Sequence, residues 1–287
     1  MIHLGLAHLT ALELPPPELA REAARAGFRS IGLRVHPALT GGIAYPLAAG
    51  TQAQREFAAL LMSEGLRLNE IEFVQITPEI DVPSFAPMFE VGAALGAAAV
   101  TVSGDDPDGA RLAANFAALC ELAGSFGLRV DLEFMCWRAV GTLAQALAVI
   151  RRAGAANAAV LVDALHLSRS GGSPADLQAV PAQLLRAAQL CDAGADVPTT
   201  DAAVIEEARE GRLPPGEGTL PLAALLEALP ADAALSVELP MRGPDARRRI
   251  AVAYETTQRL LRGLPHGAAG RTSNPTGGLQ EQGTAGA

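Results

Sequence analysis

Residues 127–134 read Gly127-Leu128-Arg129-Val130-Asp131-Leu132-Glu133-Phe134, a short apolar run that starts with glycine and carries a carboxylate near its end. An alanine-rich stretch with helical periodicity, Ala110–Ser125, precedes this run. A glycine directly after a helical pattern is typical of a left-handed helix C-cap. The stretch therefore predicts a helix, a tight turn and a buried β-strand, in that order.

The same order recurs along the chain. Three further helical patterns end at a glycine: Pro17–Ala26 before Gly27, Thr51–Ser63 before Gly65 and Thr142–Ala153 before Gly154. Eight apolar runs are predicted to be strands: Ile2–Ala7, Ser30–Val35, Leu66–Val74, Ala98–Ser103, Leu128–Phe134, Ala158–Asp163, Leu185–Cys191 and Leu235–Leu239. Eight strands that alternate with helices favour a closed (β/α)8 TIM barrel. An open doubly wound sheet is the alternative, but the first strand-to-helix turn lacks the GxGxxG pattern.

Composition narrows the class of protein. The chain has 287 residues, which suits one barrel, and we expect a barrel over residues 1–265 and a disordered tail over 266–287. The formal net charge of -9 argues against a nucleic-acid partner, which would need a basic face. No apolar stretch approaches the ~20 residues of a membrane helix. Three cysteines without CxxC spacing and no evident signal peptide predict a cytoplasmic protein.

Three predicted strands end in carboxylates, namely Glu133, Asp163 and Glu238. An unpaired buried charge costs several kcal/mol, and few bases lie on the same strands. A divalent cation would compensate these charges, with the amide oxygen of Gln189 as a fourth ligand. Oxygen ligands of this kind favour Mn²⁺ or Mg²⁺ over Zn²⁺. The alternative is that the acids are ion-paired at the barrel rim with arginines such as Arg212.

At these strand ends the sequence resembles the xylose isomerase-like superfamily, which includes sugar phosphate isomerases and epimerases. The resemblance rests on Glu133, on Asp163-Ala164-Leu165-His166 and on Glu238 within Val-Glu-Leu-Pro. Gln189 stands where the superfamily usually has a ligand histidine. Bacterial 3-dehydroshikimate dehydratases of this fold are similar in that respect, and in a Pro-Gly-x-Gly segment that here reads Pro215-Gly216-Glu217-Gly218.

The resemblance implies proton abstraction next to a carbonyl of a small, polyhydroxylated and anionic substrate. Glu133 and Glu238 are the acid–base pair that it implies for an isomerase or epimerase, which is the first hypothesis. His166 is the acid–base group that it implies for a dehydratase, the second hypothesis; a supporting role for His166 without direct catalysis is the alternative. An endonuclease for abasic DNA ranks below both, because it would need more histidines and a basic face. A metal-free barrel that binds a small molecule is the non-enzyme alternative.

Arginines and rings near the strand ends are candidates for substrate binding. Arg34, at the end of strand two, suggests bidentate binding of a carboxylate or phosphate. Arg209 and Arg212 either extend this anion site or pair with acids at the rim. Trp137 would cover an apolar face of the substrate or pack at the barrel top, and His8 is a weaker candidate. The resemblance also implies a homodimer or homotetramer.

Overall fold

The computed structural model describes residues 3–39 and 41–264. Its parallel strands form one closed barrel, in which each strand pairs with the next in sequence and the last pairs with the first. The strands are β1 (Leu4–Leu6), β2 (Ser30–Arg34), β3 (Arg67–Ile76), β4 (Ala99–Gly104), β5 (Arg129–Glu133), β6 (Ala158–Asp163), β7 (Leu185–Leu190) and β8 (Ala234–Val237). The predicted (β/α)8 TIM barrel is confirmed. The predicted tail over 266–287 lies outside the described residues.

The strands agree with the sequence-based bounds to within a few residues. β6 coincides with its prediction, whereas β3 continues two residues beyond Val74. The extension has a clear cause, because Gln75 and Ile76 pair in register with Ser103 and Gly104 of β4. Partner strands thus decide where a strand ends, and the sequence of one strand does not show this.

Helices cover the outside of the barrel. They are α1 (Pro16–Ala26), α2 (Gln52–Ser63), α3 (Ala86–Ala94), α4 (Gly109–Ser125), α5 (Leu143–Ala153), α6 (Ala164–Arg169), α7 (Asp201–Glu210), α8 (Leu222–Ala228) and α9 (Ala246–Gly263). The four helices predicted before a glycine are present. Gly27 and Gly154 end α1 and α5 with φ angles of 112° and 66°, which confirms the predicted left-handed caps. Within the described ranges, no helix has the length and apolar character that crossing a bilayer requires.

The barrel interior holds carboxylic acids as well as apolar side chains. Glu70 and Glu72 of β3 are both buried, and they lie beside Gly32 of β2. A Cβ at Gly32 would lie 2.6 Å from Glu70 Oε1 and 3.0 Å from Glu72 Oε1, so a larger residue there would displace the carboxyl group of Glu70. Burial, with Glu72 nearby, raises the pKa of Glu70 to about 8.

Candidate active site

The three predicted strand-end acids meet at the C-terminal mouth of the barrel. Glu133 ends β5, Asp163 ends β6, and Glu238 directly follows β8; they are 5%, 0% and 5% exposed. Glu133 and Glu238 line a cavity of about 250 Å³. Parallel strands point their carboxyl ends to one side of a barrel, and this side is where such folds bind ligands. Other predicted residues that line the cavity are Arg34, Trp137, His166, Gln189, Arg209 and Arg212.

Arg212 supplies a positive charge within the acid cluster. Its Nη1 lies 2.5 Å from Asp163 Oδ2, and its Nη2 lies 2.9 Å from Glu238 Oε2. Its Nε donates a hydrogen bond to the carbonyl of Ala208 at 2.8 Å. The strands themselves supply no base to Asp163 or Glu238 in the described residues; the pairing base comes from the segment after α7. The ion-pair alternative holds for Asp163 and Glu238.

Asp192 fixes the segment that carries Arg212. Asp192 Oδ1 accepts hydrogen bonds from the backbone N–H groups of Ala193 and Leu220, and its Oδ2 accepts one from Gly216. Gly218 passes so close that a Cβ there would lie 2.3 Å from the carbonyl oxygen of Ala193. The Pro-Gly-Glu-Gly segment therefore packs tightly around Asp192 and holds the chain in place behind the cavity.

His166 lies in the first turn of α6, the helix that begins directly after Asp163. The Asp163 carboxylate caps this helix, since its Oδ1 accepts a hydrogen bond from the backbone N–H of His166 at 2.9 Å. The Asp-x-x-His spacing thus places the imidazole beside the acids, with Nε2 3.7 Å from Glu133 Oε1. The Trp137 ring packs edge-on against it, with ring centroids 5.1 Å apart. Burial lowers the pKa of His166 to about 4, so the ring is neutral at neutral pH.

The pKa shifts of the acids result from burial and from Arg212. Burial raises the pKa of Glu133 well above its usual value, and the negative charges of Glu238 and Asp163 add to the effect. Burial also raises the pKa of Glu238 to about 7, against the pull of Arg212. Burial acts in the same direction on Asp163, but Arg212 and His166 together outweigh it and lower that pKa. Three carboxyl groups thus share one guanidinium, which leaves two negative charges uncompensated if all three ionise.

The donor set of the cluster fits a divalent cation. One ligand atom from each of Glu133, Asp163 and His166 lies within 4.8 Å of the other two. Gln189 Nε2 donates to Glu238 Oε1 at 3.2 Å, whereas the buried Gln189 Oε1 has no hydrogen-bond partner in the described part of the chain. A divalent cation would compensate the carboxylates when they ionise and would accept the orphaned amide oxygen as a ligand. His166 thereby joins the candidate ligands, which the sequence did not predict.

Arg34 reaches the cavity from the end of β2. Its Nε and Nη2 lie 2.9 and 2.6 Å from the same oxygen of Glu72, and its guanidinium carbon lies 5.7 Å from the centre of the Phe73 ring. Arg34 is therefore ion-paired with Glu72. Nη1 has no hydrogen-bond partner among the residues described, so the pair leaves one edge of the guanidinium to a ligand.

His8 lies behind the cavity and not in its lining. Its Nδ1 accepts the backbone N–H of Arg34 at 2.9 Å, which leaves Nε2–H to donate to the carbonyl of Leu14 at 3.0 Å. Burial lowers the pKa of His8, in keeping with this neutral ring. This placement corrects the expectation that His8 contacts the substrate directly. Instead, its ring fixes the backbone of Arg34 through a hydrogen bond.

A family model described as xylose isomerase-like TIM barrel matches residues 20–262. The chain belongs to this family. A 3-dehydroshikimate dehydratase from Pseudomonas aeruginosa is 34% identical over 118 residues, which are 41% of this chain and 18% of the relative. The chain therefore matches less than a fifth of the length of that curated relative. Its resemblance supports the family and leaves the activity of the whole relative as a proposal.

Solved structures show the same fold at low identity. The probable 3-DHS dehydratase AsbF from Bacillus anthracis has a TM-score of 0.74 at 14% identity, over 90% of this chain and 99% of that one. The IOLI protein with a bound zinc atom has a TM-score of 0.72 at 20% identity, over 90% and 98%. A D-allulose 3-epimerase from Methylomonas sp. has a TM-score of 0.66 at 16% identity, over 90% and 97%. These xylose isomerase-like neighbours include enzymes of two reaction classes.

Sequence reasoning missed Arg138. It lines the cavity, its Nη1 lies 2.5 Å from Asp105 Oδ2, and its buried Nε has no partner among the residues described. Its place in the chain gave a usable hint, because it directly follows Trp137 beyond the end of β5. Arg138 adds a second, partly paired guanidinium to the cavity, beside Arg34.

Proposed function

We propose that this xylose isomerase-like barrel is a divalent-metal-dependent enzyme. It abstracts a proton next to a carbonyl of a small anionic, hydroxylated compound and eliminates a hydroxyl group, as a lyase of the 3-dehydroshikimate dehydratase kind. The observation that carries the proposal is the buried cluster of Glu133, Asp163 and Glu238, whose charge Arg212 compensates only in part. The matched segment of the Pseudomonas aeruginosa relative supports the choice of elimination.

The metal would be held by Glu133, Asp163, Glu238 and the free oxygen of Gln189, which leaves His166 for proton transfer. Carboxylate and amide oxygens predominate in this set, so we assign Mn²⁺ or Mg²⁺. A divalent cation at this site supplies Lewis acidity that polarises a substrate carbonyl and makes the adjacent C–H more acidic. Asp163 can ligate while capping α6 and pairing with Arg212, because each carboxylate oxygen has two lone pairs.

The residues around this site can bind the substrate and move its proton. Arg34 and Arg138 would orient an anionic group by charge-assisted hydrogen bonds. His166 is neutral and lines the cavity, and its buried Nδ1 has no partner in the described ranges. It would accept the proton from carbon and return it to the departing hydroxyl, so that a C–H and a C–O bond break, a C=C bond forms and water leaves. Packing against Trp137 holds the ring in place.

A second reaction is favoured by a specific feature, the pair of carboxyl groups on different sides of the cavity. Glu133 and Glu238 line it from β5 and from the end of β8, and burial raises the pKa of both. Two such groups can exchange protons with the two faces of one substrate carbon, as an isomerase or epimerase requires. Both reactions begin with proton abstraction, so they differ only in the fate of the intermediate.

Two assays separate these reactions. Incubation with 3-dehydroshikimate and Mn²⁺ should release water and give an aromatic dihydroxy acid, which is detected by its ultraviolet absorbance. Ketoses incubated with the enzyme in D₂O should show deuterium next to the carbonyl by NMR if it is an epimerase. Deuterium exchange without water loss would overturn the dehydratase proposal in favour of the epimerase.

Metal dependence is tested separately, on the wild type, on Glu238→Gln and on the exposed control Glu227→Gln. We expect about one Mn²⁺ per chain, a lower melting temperature with chelator, and less bound metal in Glu238→Gln only. A protein without bound metal and without any chelator effect would refute the proposal and leave the metal-free binding barrel.

A further inference from the structure

The cavity has two chemically different halves. Its inner half carries the acid cluster with the buried Arg34 and Arg212. Its outer half carries six apolar side chains, Leu9, Leu12, Leu39, Ile43, Met135 and Trp137, with the less buried Arg138 and Arg209 beside them. These six side chains come from the segments after β1, β2 and β5. A cavity for a substrate that is polyhydroxylated throughout would gain little from such a wall, because sugar hydroxyls need hydrogen-bond partners there.

Two residues of this apolar wall are exposed to solvent. Leu39 is 47% exposed and Ile43 is 53% exposed, and both lie in the segment between β2 and α2. The other large apolar residues that are this exposed in the described ranges, Met62 and Val197, do not line the cavity. Single exposed apolar residues are common on protein surfaces. Two of them beside four further apolar side chains, at the entrance of one cavity, form a patch that a bound ligand would cover.

We propose that the cavity binds an amphipathic hydroxy acid, with its carboxylate and hydroxyl in the inner half and an apolar group against the outer wall. This deepens the proposed function and rests on it for the position of the head group. The volume of about 250 Å³ lies just below the usual range of ligand pockets, ~300–1,000 Å³. The apolar group is therefore small, a single ring or a short alkyl chain. Trp137 and Leu39 approach it from different segments.

The chain offers a convenient probe of this binding. Trp137 is its only tryptophan and lines the cavity, so intrinsic tryptophan fluorescence reports on that site alone. We would titrate lactate, 2-hydroxybutyrate, 2-hydroxyhexanoate and phenyllactate, and compare them with the polyhydroxylated acids glycerate and erythronate. Each titration is run with Mg²⁺ and with chelator. Calorimetry of the strongest ligand adds the heat-capacity change, which becomes negative when apolar surface is buried.

The wild type should bind the alkyl acids more tightly as they lengthen, by about fourfold per added methylene. In Leu39→Ser/Ile43→Ser this gain should fall while lactate binding stays the same. The matched control Met62→Ser/Val197→Ser, which changes exposed apolar residues outside the cavity, should keep the full gain. All four positions are exposed enough that the variants are expected to fold.

The outcomes distinguish this inference from the proposed reaction. Tighter binding of glycerate and erythronate than of the alkyl acids would overturn the inference, even if the protein turns over a substrate. A steep alkyl series without any detectable turnover would support it and count against the reaction alone. Failure of every acid to bind, with Mg²⁺ and with chelator, would refute both the anion site and the amphipathic ligand.

Discussion

Replacement of Arg212 by methionine tests the electrostatic account of the site. The substitution removes the guanidinium that lies 2.5 Å from Asp163 and 2.9 Å from Glu238, and it leaves both acids buried without their cation. Loss of one partner of a buried ion pair costs about 3–5 kcal/mol. For a chain of this size, each kcal/mol corresponds to roughly 2–4 °C in melting temperature. Arg212→Met should therefore melt on the order of 10 °C below the wild type in chelator.

The matched control is Arg186→Met. Arg186 pairs with Asp232 at 2.8 Å, but the two side chains are 38% and 66% exposed, so this variant should lose less than about 1 kcal/mol. The assay is thermal and urea unfolding monitored by circular dichroism, in chelator and in excess Mn²⁺. The cation should restore part of the stability of Arg212→Met, because it compensates the same carboxylates. If Arg212→Met and Arg186→Met lose the same stability in chelator, the assigned role of Arg212 is refuted.

Two further predictions concern the barrel interior and the loop behind the site. The stability advantage of Glu70→Gln over the wild type should grow by about 1.4 kcal/mol per pH unit as pH rises from about 4.5 to 8, because the folded wild type holds the Glu70 proton that the unfolded chain releases. Unfolding measured across this pH range should show no such trend for the exposed control Glu90→Gln. A difference between Glu70→Gln and the wild type that does not change with pH would contradict the assignment. Gly218→Ala should lose about 1–3 kcal/mol, because its Cβ would meet the carbonyl oxygen of Ala193 at 2.3 Å. Gly109→Ala, whose Cβ meets nothing within 4 Å at the start of α4, is the control for that measurement, and equal stabilities of the two variants would show that the loop adapts.

The sequence predicts much of this fold because hydrophobic periodicity and glycine caps are local properties. β6 is predicted to the residue, and Glu133 and Glu238 are located because strand ends in a barrel share one mouth. Arg212 is different, since Asp192 and the loop around it determine its position through contacts between distant residues. Apart from Trp137, the apolar wall is also missed, because residues such as Leu39 lie in irregular segments without periodicity.

His8 shows a second limit of sequence reasoning. A histidine after a strand suggests a functional ring, but the two backbone groups that occupy its nitrogens belong to Arg34 and Leu14. Only the folded chain shows that both nitrogens are already used. Residue type and spacing therefore located the acids well and the orientation of individual rings poorly.

Closure of the barrel sets an order of events during synthesis of the chain. β1 pairs with β8, where Leu4 lies opposite Leu235, so the first strand lacks this partner until the last strand has been made. Glu133 and Asp163 are made well before Arg212, and until then their carboxylates can remain hydrated at open strand ends. A nascent chain halted before Arg212 would expose unpaired sheet edges, which are templates for aggregation. Arg212 is therefore synthesised shortly before the last strand, β8. The acids can thus become buried at the stage when the guanidinium that pairs with them is available.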